Sequence, residues 1–93
     1  MELREKVVQS RDVVSREVGG DVVLLDLASG TYFGLNAVGV RVWSFLAGQS
    51  RSLAEICDML VREFAVDEGD AERDVIALTN DLLGHGLLIR QGI

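Results

Sequence analysis

Ninety-three residues, 48% of them apolar, with a mean hydropathy of +0.26 and a net charge of −6, describe one domain (1–93) with a modest core and apolar surface left over for contacts. The acidic balance argues against a nucleic-acid-binding domain, which draws its affinity from Lys and Arg on phosphates, and against an anionic membrane surface; it suits a partner with basic residues. The single cysteine, Cys57, excludes an internal disulfide and a cysteine cluster for zinc, and fits a reducing cytoplasm.

Residues 1–10 are polar around a Val7-Val8 pair and read as a leading arm or the start of a strand. The leading Met-Glu-Leu-Arg-Glu-Lys run lacks a signal peptide's apolar stretch, and no apolar run is long enough to span a bilayer. Asp12 to Val18 has a strand pattern, and Gly19-Gly20 is a two-residue hairpin signal. Val22 to Leu27 forms the next strand. Its apolar residues fall on both faces, which predicts cover on both sides. Ala28-Ser29-Gly30 turns the chain, and Thr31-Tyr32-Phe33-Gly34-Leu35 makes the third strand.

Three helices follow. Asn36 caps the first, which carries Val38, Val42, Phe45 and Leu46 on one stripe with Trp43 beside it, and Gly48 stops it. Ser52-Leu-Ala-Glu55 is a capping box for the second, whose stripe is Leu53, Ile56, Cys57, Leu60 and Phe64. Asp67 caps the third, with core positions Ala71, Val75, Leu78 and Leu82, and Gly84-His85-Gly86 ends it. Leu87-Leu88-Ile89 is a short tail, either a strand or a cover over the core. Strands first and helices after them indicate an α+β fold. Three short helices beside a hairpin resemble a winged helix-turn-helix with its strands moved to the front, a three-stranded antiparallel sheet followed by three helices.

Chemistry for catalysis is sparse. His85, the only histidine, reads as a surface residue at a helix C-terminus. Cys57 lies on an apolar stripe, and no second histidine is available to activate it. The glycines lack the Walker lysine and the dinucleotide spacing, and Asp67–Glu72 lacks the calcium-loop spacing. No catalytic residue, metal ligand or cofactor site is predicted. The carboxylates crowding the third helix form either a solvated face or an acidic rim for a basic partner.

The strand Thr31–Leu35 is followed at once by a helix, so nothing near in sequence pairs with its outer side. An unpaired edge is a template for another chain, and this edge is the predicted working surface of a peptide-binding protein. On the third helix, Ile76 and Leu83 either widen the core face or mark an apolar flank facing a groove, while Arg73, Asp74, Ala77 and Asp81 mark the other flank; the sequence leaves the choice open.

Leu25-Asp26, Ser29-Gly30, Tyr32, Leu35-Asn36, Gly39 and Trp43 at their spacing, with Ser52-Leu-Ala-Glu55-Ile56, Leu60, Phe64, Asp74-Val75, Leu82-Leu83 and Gly86-Leu87-Leu88, resemble the PqqD-like family over residues 7–90. The resemblance implies a non-catalytic recognition element that binds the leader of a ribosomally made, post-translationally modified peptide. The leader would add as a strand along Thr31, Tyr32, Phe33, Gly34 and Leu35, against Arg73, Asp74, Ile76, Ala77, Leu78 and Asp81. The Leu-Asp-x-x-Ser-Gly-x-Tyr run is most similar to standalone leader-binding proteins of lasso-peptide clusters, which serve a cysteine-protease-like leader peptidase and a cyclase. The alternative is a chaperone of the pyrroloquinoline-quinone precursor, whose pattern carries prolines near the second strand; this chain has none. A DNA-binding winged helix would need a basic recognition helix, and Arg62 and Arg73 both sit among acids.

Overall fold

The structure, a computed structural model, describes residues 2–91. The Gly19-Gly20 hairpin forms as the sequence predicts. Both glycines have positive φ (60° and 89°), which a two-residue turn needs to match strand twist. The turn joins β2 (Val13–Val18) to β3 (Asp21–Asp26), and β3 pairs in turn with β4 (Thr31–Leu35), giving an antiparallel sheet in the order β2-β3-β4. The β3–β4 turn is pinned by Asp26, whose carboxylate accepts from the Ala28 N–H (3.1 Å) and the Ser29 hydroxyl (2.9 Å).

The first strand of the chain, β1 (Lys6–Gln9), belongs elsewhere. It lies between the two-residue β5 (Arg51–Ser52) and β6 (Leu88–Gln91), antiparallel to both. Both readings left open for the two ends of the chain thus resolve to strands, which pair with each other rather than with β4. The strand Thr31–Leu35 is therefore the fourth in chain order and the third of its own sheet.

The helices are α1 (Ala37–Phe45), α2 (Leu53–Phe64) and α3 (Glu68–Gly84). Each begins on the residue its capping chemistry selects. The Asn36 side chain accepts from the Gly39 N–H (2.8 Å), and Asp67 from the Gly69 N–H (3.0 Å). In the Ser52–Glu55 box, the Glu55 N–H donates to Ser52 Oγ (3.1 Å) and the Ser52 N–H to Glu55 Oε1 (3.0 Å). Arg41 clamps α1 to α2 by donating from both Nε and Nη2 to the Glu63 carboxylate (2.6 and 2.8 Å).

One apolar cluster joins both sheets to the helices: Val7, Leu24, Val42, Trp43, Leu46, Leu53, Ile56, Leu60, Val75, Leu82, Leu87 and Leu88 are all buried in it. Three expectations change on contact with this core. Phe64, placed on the α2 stripe, is exposed at the helix end, and Met59 is buried instead. Leu78 is only half-buried, and Thr79 takes the interior position on α3. The sheet β2-β3-β4 is covered on one face only. Leu24, Phe33, Leu35 and Val13 pack inward, whereas Val14 and Tyr32 on the outer face are exposed. An apolar strand flanked by two short neighbours reads as doubly covered because pattern alone cannot show how few elements remain to cover it.

Candidate functional site

Strand alternation fixes which backbone groups of β4 are free. The Leu27 N–H donates to the Asp12 carbonyl (2.8 Å), and the pair Val18–Asp21 closes the two-residue turn. Asp21, Val23 and Leu25 therefore aim their backbone groups at β2, and Val22, Leu24 and Asp26 aim theirs at β4. The Gly30 N–H reaches the Asp26 carbonyl (2.7 Å) from that same side. With the register Val22–Leu35, Leu24–Phe33 and Asp26–Thr31, the inward-bonding residues of β4 are Thr31, Phe33 and Leu35. Tyr32 and Gly34 turn their N–H and C=O groups outward. No described strand pairs with that side.

One ring contact sets the C-terminal end of α3 beside this edge. The Phe33 ring meets the His85 ring edge-on, with centroids 5.0 Å apart. His85 in turn donates from Nδ1 to the Asp81 carbonyl (2.8 Å), so its ring is held at the α3 C-terminus. Asn36, the residue after β4, forms one wall of a cleft of about 340 Å³ completed by Val38, Leu60, Asp74, Ala77, Leu78 and Asp81. Val38, Leu60, Ala77 and Leu78 make an apolar floor, and the two aspartates stand about 10 Å apart along the helix by its 1.5 Å rise. Neither aspartate belongs to an ion pair among the described residues. A second hollow, about 430 Å³, opens on the other side of Asn36 between Gly20, Asp21, Val22, Leu35, Ala37 and Val40.

On α3 the cleft lies along Asp74, Ala77, Leu78 and Asp81. Arg73 points elsewhere and donates to Asp70 Oδ1 (2.9 Å), and Ile76 is half-buried away from the cleft lining. Sequence reasoning missed Asn36, Val38 and Leu60 as cleft residues. Asn36 was visible as a helix cap, but a cap gives no sign that its outer side faces a groove. The outer edge of β2, with which no described strand pairs, also went unnoticed; the strand carries Ser15, Arg16 and Glu17.

Groups suited to reaction chemistry are quiet. Burial pushes the Cys57 thiol up, with Glu72, Asp58 and Glu68 adding to the effect, which keeps it protonated. Among the described residues no cluster of three His, Cys, Asp or Glu side chains is placed to hold a metal, and no helix is long and apolar enough to cross a membrane.

The fold is α+β and winged-helix-like, with a free strand edge beside a helix cleft. Residues 21–88 match the family described as Coenzyme PQQ synthesis protein D (PqqD). Two solved structures share the fold over nearly their whole length. TbiB1, solved in complex with the TbiA(beta) leader peptide, is 40% identical with a TM-score of 0.79, over 92% of this chain and 99% of that one. A lasso peptide synthetase B1 complexed with the leader peptide is 30% identical with a TM-score of 0.76, over 89% and 96%. No curated protein matches the sequence. The chain belongs to the PqqD family.

Proposed function

We propose that this protein binds the leader segment of a ribosomally made precursor peptide by strand addition to β4, and that it serves lasso-peptide maturation. The observation that carries this reading is the outward-facing backbone of Tyr32 and Gly34 next to the Asn36–Asp81 cleft. Support for the lasso pathway over quinone synthesis comes from the likeness to two B1 proteins, each solved with a leader peptide. In this role the protein performs no chemistry of its own. It holds the precursor for a cysteine-protease-like leader peptidase and a cyclase in the cytoplasm.

The energetics require more than the edge. Each new main-chain bond nets about 0.5–1.5 kcal/mol, while ordering a flexible peptide costs about 2–5 kcal/mol or more. Apolar side chains of the leader must supply the surplus, and the floor of Val38, Leu60, Ala77 and Leu78 is where one of them docks. Asp74 and Asp81 contribute mainly to encounter rate and selectivity, as exposed charges do.

Proline separates the two sides of β4. Tyr32→Pro removes an outward N–H and leaves the β3 ladder intact, so it should weaken binding of the TbiA(beta) leader peptide about tenfold relative to Tyr32→Ala. Phe33→Pro removes a ladder bond to β3 and should lower the unfolding midpoint. Fluorescence anisotropy and thermal unfolding read the two effects. Equal binding by Tyr32→Pro and Tyr32→Ala would rule out strand addition at this edge.

A further inference from the structure

Gly34 has no role in the fold that requires glycine. Its φ is outside the left-handed range, and a Cβ built there meets nothing within 4 Å. The β3–β4 register runs without interruption from Val22–Leu35 to Asp26–Thr31, so no bulge sits at this position. A glycine inside a strand weakens it, and where turn, bulge and crowding are all absent the remaining use is close approach by another chain. The position faces outward on the sheet with Tyr32, which is 63% exposed, and its cross-strand partner is the half-buried Val23. Leu25, opposite Tyr32, completes an apolar surround.

We infer that Gly34 is a specificity-determining position, a notch in the edge strand that admits a bulky apolar or aromatic side chain of the bound peptide. The inference rests on the strand-addition reading above. A strand added to β4 lies about 4.8 Å away. Its residue opposite Gly34 extends the cross-strand row Arg16, Val23, Gly34. With no side chain at 34, that residue leans over bare backbone to reach Val23 and the flank of Tyr32. An aromatic ring laid over an edge glycine covers backbone that is otherwise exposed. Any residue with a Cβ and branches at 34 fills the notch.

The test uses wild-type protein, Gly34→Ala and Gly34→Val, with a displayed random-peptide library as probe. Both variants should unfold at or above the wild-type midpoint, because each replaces glycine in a strand with free space around it. Peptides enriched on wild type should carry a large apolar or aromatic residue at one position and bind Gly34→Val about tenfold or more weakly. Changing that peptide residue to alanine should abolish the difference between wild type and Gly34→Val. Equal binding by wild type and Gly34→Val overturns the notch. If Tyr32→Pro abolishes binding of the same peptides in that case, strand addition survives and only the notch falls; if the wild type enriches no peptide, both fall.

Discussion

Asn36 and Gly39 show how a few atoms join the edge strand to the helices. Asn36 leaves β4 in an extended conformation and accepts the Gly39 N–H, so the strand ends and α1 begins on one residue. Gly39 is buried there, and a Cβ on it would come within 3.1 Å of Leu35 Cδ2. The Leu-Asn-x-x-Gly run therefore records a tight strand-to-helix joint, while Asn36 also walls the cleft. Thr79 is the opposite case. Its hydroxyl is buried on α3, at 1% exposure, without a hydrogen-bond partner. Thr79→Val keeps the shape and removes the unsatisfied group, so chemical denaturation should show a gain of about 1 kcal/mol. The sequence offered no sign of this, because a threonine in an apolar stripe reads as a boundary residue, and Leu78 beside it looked the better core position.

At the scale of elements, the hairpin and the helix starts were legible because their signals are local. Gly19-Gly20, Asn36, the Ser52–Glu55 box and Asp67 each act on atoms within four residues, and each stands where the pattern put it. The capping box also makes α2 sensitive to acid. The bond from the Ser52 N–H is the main cause that holds the Glu55 carboxyl below its usual range, with Arg51 helping. The unfolded chain, with an ordinary glutamate near pKa 4.3, then takes up a proton at a higher pH than the folded chain does. The contribution is complete above that ordinary value and is lost as pH falls through the lowered one. Glu63, held low by its bond from Arg41, acts in the same direction. Glu55→Gln keeps an acceptor for the box but cannot titrate, so its unfolding midpoint should fall less steeply than wild type between about pH 6 and pH 3.

At the scale of the whole molecule, the sheet β5-β1-β6 was the part the sequence concealed. β1 and β6 pair as Lys6–Gln91 through Gln9–Leu88, across nearly the full chain, with no turn signal to announce the match. Its consequence for function is direct. Among the described residues β1 pairs with β6 and with Arg51 and Ser52, and no strand other than β3 pairs with β4. The third-helix side of the cleft was half legible: Asp74, Ala77, Leu78 and Asp81 line it, but a helical pattern alone does not say which flank faces a hollow.

Strand addition to β4 would engage two backbone amides, those of Tyr32 and Gly34. Hydrogen exchange followed by NMR, with and without a saturating peptide taken from the library on wild-type protein, reads them directly. The amides of Tyr32 and Gly34 should slow about tenfold or more on binding. Those of Phe33 and Leu35, already bonded to β3, should change little. Unchanged Tyr32 and Gly34 amides with slowed Ser15 and Glu17 amides would place the peptide on the β2 edge and contradict the account.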